Sequence, residues 1–354
     1  MLSTVKSRVS AFIDRIGLIT FIIAVFWAFL LVTAVITKIP VLVMLSDTLR
    51  RFGMNGVMVL AMVPAIQSGT GPNFALPIGL VCGLLASVIA FELGLTAWAF
   101  LVVAFALAAI IATAIGFVYG KLLNAVKGSE MTIATYAGFS ISAFMCLVWL
   151  MAPFNNLNMR WLLGSGLRET IQLDVTGVSQ ILNNALGFSI GEFYVPTGML
   201  LLFFALCFIV WLFMRSKTGV AISAGGINPM FAKSSGLNTD KTRIIANIVS
   251  TVLAAWGIII YAQSFGYIQL YTFPLYMAFP AVAAVLIGGA TASRAKVSHV
   301  IIGTFLFQGL LTTAMPVANS IFSEADLSEP LRAIVQNGVI LYALTQVSKG
   351  GSKA

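Results

Sequence analysis

GLITFIIAVFWAFLLVTAVIT, residues 17–37, runs for 21 residues without a charge. A bilayer hydrocarbon core of roughly 30 Å needs about 20 apolar residues in helical conformation, so this stretch is long enough to cross. Its basic lead-in, Lys6, Arg8 and Arg15, is followed by no small-x-small cleavage site and no polar mature region. It therefore reads as a first transmembrane helix and not as a signal peptide.

The rest of the 354 residues repeats that pattern. Hydrophobic residues make up 60% and charged ones 9%, against roughly 45–50% and about 25% in soluble domains. The chain is expected to be an all-α polytopic membrane protein with a single transmembrane domain over 1–354. Ten stretches qualify as spans: 17–37, 53–67, 74–91, 95–118, 131–152, 195–214, 244–263, 274–290, 297–315 and 331–347.

The cations test that count. With the amino terminus inside, ten crossings leave both termini cytoplasmic and place these residues inside: Lys6, Arg8, Arg15, Lys121, Lys127, Arg215, Lys217, Lys233, Lys241, Arg243, Arg294, Lys296, Lys349 and Lys353. That is 14 of the 20 Lys and Arg, as the positive-inside rule requires. Lys38, Arg50 and Arg51 fall outside and are expected on an amphipathic surface helix before the second span. The long outer segments are 153–193 and 316–330, and the largest inner one is 215–243. Five spans separate the second from the seventh, an odd number, so an internal duplication would give an inverted five-plus-five repeat.

The same residues exclude several classes. The net charge of +9 comes from scattered cations and not from a basic stripe alternating with aromatics, which argues against a nucleic-acid partner. Cys82, Cys146 and Cys207 lie apart inside apolar runs and read as buried small hydrophobes. With one histidine, His299, neither a metal site nor a catalytic triad can be assembled. Glu92 lies one residue past the end of the third span, so it reads as an interfacial carboxylate and not as a proton relay. Ion coupling has little machinery here, because such transporters keep charges at membrane depth.

Two regions stand out from the regular spans. Gln67–Pro77 combines uncharged donors and acceptors (Gln67, Ser68, Thr70 and Asn73) with Gly69, Gly71, Pro72 and Pro77, and adds Phe74. It reads either as a broken helix lining a solute pathway or as a tight turn at a membrane surface. The small residues of FPAVAAVLIGGATASRAKVSHVIIGT, 279–304, permit close helix approach.

Within the inner segment, GINPMFAKSSGLN (226–238) is clearly punctuated. Asn228 can cap a helix, Pro229 suits its first position and Gly236 can end it in the left-handed conformation. About two turns result, too few to be stable alone in water. Such a helix needs clamping by its own loop and by a docking groove.

The run TGVAISAGGINPMFAKSSGLNTDKTRIIANIVSTVLAAWGIIIYAQ, 218–263, resembles permeases of the ribose, galactose and related ABC sugar importers. The resemblance continues in AAVLIGGATASRAKVSHVIIGT, 283–304, and more loosely in the sixty residues after Asp47. Two departures mark a divergent member. Where the family has Gly-Gly/Asp-Leu-Ser-Val-Gly, this chain has Asn73 and Pro77, and Ala290–Arg294 replaces a glycine-rich run.

The resemblance implies a permease subunit in the bacterial inner membrane that passes a small neutral solute, most simply a monosaccharide. It implies a second permease copy, identical or paralogous, and a periplasmic or lipid-anchored solute-binding protein. It also implies a separate ATP-binding subunit carrying the ATP and Mg, since no Walker A pattern occurs and the nearest match, Gly116–Lys121, lacks its spacing. The chain itself would be no enzyme and would bind no cofactor. Gln67, Ser68, Thr70, Asn73 and Phe74 would belong to the pathway, and Gly225, Gly226, Asn228, Pro229, Ala232, Ser235, Gly236 and Asn238 to ATPase coupling. Branched-chain amino acid or nucleoside permeases of the same superfamily are the alternative, and an ion-coupled secondary transporter is a further rival.

Overall fold

The computed structural model describes residues 17–161 and 166–321, together with 333, 334, 337, 338, 340, 341 and 345. Seven of the described helices are long and apolar enough to cross a membrane, and two shorter apolar ones lie among them. The chain is an all-α polytopic membrane protein. In order, the first helices are α1 (Leu18–Ile36), α2 (Val41–Leu60), α3 (Met62–Gln67), α4 (Leu76–Glu92), α5 (Ala97–Ala125) and α6 (Glu130–Met151). An outer segment follows, with β1 (Thr170–Gln172), α7 (Ile181–Asn184), β2 (Phe188–Ile190) and β3 (Phe193–Val195). The chain continues through α8 (Thr197–Arg215), α9 (Lys217–Ile227), α10 (Pro229–Ser234), α11 (Thr239–Phe265), β4 (Tyr267–Gln269), α12 (Phe273–Ile287) and α13 (Val297–Ile321).

Nine of the ten expected spans have helical counterparts, with two corrections. The second span begins at Val41 and not at 53: α2 runs into α3 through Ala61 as one apolar stretch, Val41–Gln67. Arg50 and Arg51 therefore lie on the span itself and not on a separate surface helix. Nothing between Val41 and Leu60 breaks the helix, and Arg50 faces Asp47 one turn back at 4.0 Å. The ninth span likewise passes through Pro316 to Ile321, so the outer segment expected at 316–330 starts later, and its remainder lies outside the described residues. The positions described within 331–347 are helical.

The bundle centres on α11, which packs along α5, α4 and α2. Apolar burial does not drive helix association in lipid; close backbone packing does. The α12–α13 crossing shows this. A Cβ on Gly288 would lie 1.8 Å from the His299 carbonyl oxygen, and one on Gly303 would lie 1.9 Å from that of Ala284. The small residues of 279–304 thus permit direct contact of two helix backbones. At 15 residues, α12 reaches only about 22 Å, and its burial among other helices tolerates that shortness.

Contacts divide the loops between two ends. One end carries the 152–196 segment. There β1 pairs antiparallel with β4, the Tyr271 hydroxyl donates to the Leu167 carbonyl at 2.7 Å, and the Tyr194 N–H donates to Ser46 Oγ at 2.7 Å. Glu92 closes α4 at this end by accepting the backbone N–H groups of Asn155 and Asn156. Its carboxylate is engaged in capping a loop at the edge of a span. The opposite end gathers residues 126–129, 216–238 and 288–296, and with them Lys127, Lys217, Lys233, Arg294 and Lys296, while the 68–75 break enters the bundle, where Asn73 reaches Ser250 on α11. The charge map and the packing agree on which loops share a face.

Candidate functional site

The basic end carries a compact helical element where the sequence suggested a loop over 215–243. Ser216 caps α9, its Oγ accepting from Gly219 N at 3.3 Å. Asn228 then ends α9 and caps α10, accepting from Phe231 N at 3.0 Å, with Pro229 at the first helical position. Gly236, at φ +82°, reverses the chain, and Gly236 N and Leu237 N donate back to the Lys233 and Ala232 carbonyls at 3.0 Å. Asn238 caps α11, accepting from Lys241 N at 3.0 Å. Three caps and a left-handed turn therefore hold a six-residue helix that could not stand alone.

Ion pairs brace this element. Lys127 pairs with Asp240, and the largely buried Arg243 with Glu130, joining the α5–α6 loop to the first turns of α11. Asn124 Nδ2 donates to the Asp240 carbonyl at 2.9 Å.

The two sets of site residues drawn from the sequence touch. Gly226, in the last turn of α9, rests on the chain at Gln67–Gly69: a Cβ there would lie 2.1 Å from the Gln67 carbonyl oxygen and 2.8 Å from Gly69 N. The Gln67 side chain accepts from Ser223 Oγ on α9 and donates to the Ala295 carbonyl ahead of α13. One amide thus ties the break after α3 to α9 and to the 288–296 loop. Gly225, on the other face of α9, packs against Thr239 and Thr242.

Within the break, hydrogen bonds turn the polar groups inward. Ser68 Oγ and Thr70 Oγ1 donate to the Ala65 carbonyl at 2.8 and 2.9 Å. Asn73 donates to Ser250 Oγ at 2.9 Å and accepts from the Tyr119 hydroxyl and Ala75 N, both at 3.1 Å. These three side chains are buried. Gln67 and Phe74 keep partial exposure, and Phe74 packs on the Phe279 ring at 5.8 Å. The geometry is that of a tight turn with its polar capacity satisfied.

Along α10, Ala232 is fully buried, whereas Met230 is 84% and Phe231 67% exposed. Ile227, at the end of α9, is 61% exposed. Ala232, assigned from the sequence to ATPase coupling, thus faces its own chain, and two large apolar neighbours face away. Asn228, Pro229, Ser235, Gly236 and Asn238 lie on the exposed surface around them. Composition carried the signal that was passed over: Met and Phe are costly on a short helix at a charged end unless something covers them.

Among the described residues no three His, Cys, Asp or Glu side chains converge as metal ligands would.

Comparison with known proteins adds an independent line. Residues 44–344 match the family model described as the permease component of branched-chain amino acid transport systems. The autoinducer 2 import system permease protein LsrC of Yersinia pestis (strain Pestoides F) is 29% identical over 232 residues. The same protein of Yersinia pestis bv. Antiqua (strain Angola) matches to the same degree. Each match covers 59% of this chain and 64% of the relative.

Proposed function

Because the chain belongs to the family of permease components of branched-chain amino acid transport systems, and carries seven helices long and apolar enough to cross a membrane, we propose that it forms, in the inner membrane, the translocation pathway of an ATP-binding-cassette importer. The observation that carries this reading is the capped helix α10, which presents Met230 and Phe231 to the outside at the basic end of the bundle. An exposed apolar tip on a rigid mount is what a groove on a soluble subunit would receive. ATP and Mg would be held by that subunit, and the chain would contribute no catalytic group.

The basic end is then cytoplasmic, both termini lie on that side, and the spans form an inverted five-plus-five arrangement. A second permease copy or paralogue completes the pathway, and a solute-binding protein docks at the opposite end. The substrate is a small neutral solute of sugar-like chemistry. The absence of spare charge at Gln67–Phe74 supports neutrality, and the resemblance to autoinducer 2 permeases supports the sugar-like class over branched-chain amino acids. Within the pathway group, Phe74 is the member with apolar surface to offer a solute, while Ser68, Thr70 and Asn73 hold the turn that positions it.

The test is purification in mild detergent from the native host, with identification of co-purifying subunits. An ATP-binding subunit that is retained by the native chain and lost from Phe231→Asp supports the proposal. Solute uptake driven by an ion gradient, with no ATP-binding subunit present, would sink it.

A further inference from the structure

The structure carries two cavities on one side of the bundle that share only Gln67 with the pathway group. Both lie along α8 and α13, the first also against α1 and α2 and the second against α3. The first is a groove of about 590 Å³ lined by apolar side chains, among them Phe21, Phe52, Phe204, Ile301, Phe305 and Leu306. That is within the roughly 300–1,000 Å³ of ordinary ligand sites. Phe204 and Ile302 are 45% and 43% exposed at its rim, so it opens sideways toward lipid. The second is a cavity of about 260 Å³ at the basic end, lined by Val63, Gln67, Trp211, Arg215, Lys296 and Ser298.

The two share one line along each helix. On α8, Leu200, Phe204, Trp211 and Arg215 recur at spacings of four and seven. On α13, Ser298, Ile301 and Phe305 recur at three and four. These are the spacings that place side chains on one helix face. From Trp211 to Phe204 the axial distance is about 10 Å. The cationic cavity and the apolar groove are thus separate openings along the same faces of α8 and α13.

The charges at the cationic cavity are not neutralised by the protein. Among the described residues Arg215 and Lys296 form no ion pair. The Arg215 guanidinium lies over the Trp211 ring at 4.1 Å, which fixes it at the rim. Gln67, on the wall of the same cavity, holds Ser223 of α9.

We propose that the two openings together form a binding site for an anionic phospholipid. Its headgroup phosphate lies between Arg215 and Lys296, and one acyl chain lies in the groove against Phe204, Phe52 and Phe305. Charge complementarity selects the headgroup, and the apolar groove distinguishes a lipid from a free anion. Occupancy bridges the ends of α8 and α13, the two segments that flank the base of the α9–α10 element. Assignment to the cytoplasmic leaflet rests on the orientation proposed above; the site itself does not.

The test uses the purified full-length chain, with lipid retention followed by native mass spectrometry. Dioleoyl phosphatidylglycerol should be retained on the order of tenfold more strongly than dioleoyl phosphatidylcholine, and the paired changes Arg215→Gln and Lys296→Gln should abolish the difference. Both positions are exposed, so folding should be unaffected. Ile302→Trp, which narrows the groove while leaving both cations, should also weaken phosphatidylglycerol retention. Equal retention of the two lipids, an unchanged preference in the paired variant, or displacement by millimolar inorganic phosphate would each overturn the proposal. A photo-crosslinker at Ile302 should give a phospholipid adduct. An adduct to a peptide of this chain would instead assign the groove to a second copy or to the chain's own residues. These readouts are independent of any ATP-binding subunit, so their failure leaves the transport reading standing, and the converse holds.

Discussion

Gly226 on α9 and Gln67 at the end of α3 meet backbone to backbone, with no room for a methyl group between them. The same Gln67 reaches Ser223 through its side chain, so two successive levels of α9 are attached to the break between α3 and α4. A displacement of α10 must therefore pull on that break, since packed interfaces shift between discrete arrangements and do not deform freely.

Gly226→Ala should disturb this joint without touching α10 itself. Overpacking of this kind costs about 1–3 kcal/mol, so a thermal midpoint measured on the purified chain should fall while some protein still assembles. In the assembled fraction, substrate-stimulated ATP hydrolysis should drop more than basal hydrolysis. A drop in stability with normal stimulation would limit the contact to folding.

Phe231→Asp and Ala232→Asp should separate docking from folding. Phe231 is exposed and Ala232 is fully buried, so the first variant should fold normally and the second should lose yield. If Phe231 is an anchor, its loss should weaken retention of the ATP-binding subunit by more than about tenfold. Pull-down from detergent extracts measures this, and equal retention by wild type and Phe231→Asp would remove the tip of α10 from the interface.

Single cysteines test the orientation. Ser189 on the β2–β3 hairpin and Ser234 at the end of α10 are both exposed and lie at opposite ends of the bundle. With Cys82, Cys146 and Cys207 replaced, an impermeant thiol reagent applied to intact cells should label Ser189→Cys and spare Ser234→Cys. Labelling of the latter from outside would reverse the assignment of the two faces.

Much of this was legible from residue order. Charge-free runs located the spans because lipid forces the backbone to satisfy itself within each helix. Asn228, Pro229 and Gly236 marked α10 because capping is local chemistry. What residue order left open was tertiary. Arg50 looked like the edge of a surface helix, yet α2 continues through it. Ala232 stands in sequence beside Met230 and Phe231, and only packing decides that it is the buried face of α10. Asn73 offered a donor and an acceptor, and nothing nearby in sequence indicates that Ser250 and Tyr119 take them.

Those two partners shape the last expectation. Asn73→Leu removes a donor and an acceptor at once and strands the Tyr119 hydroxyl and Ser250 in a buried site. An orphaned buried polar group costs about 1–3 kcal/mol, so this variant should lose stability and yield. Phe74 is different: its half-buried ring makes no hydrogen bond and rests on Phe279. Phe74→Ala should assemble with its partners near normally. If the ring meets the solute, uptake per assembled complex should change severalfold while binding of ATP to its own subunit stays constant. Should both variants lose only yield, with normal uptake per surviving complex, the 67–77 segment is a structural turn and the pathway runs elsewhere in the bundle. Loss of per-complex uptake in Phe74→Ala alone would identify the ring, and not the polar groups beside it, as the part of the break that solute passes.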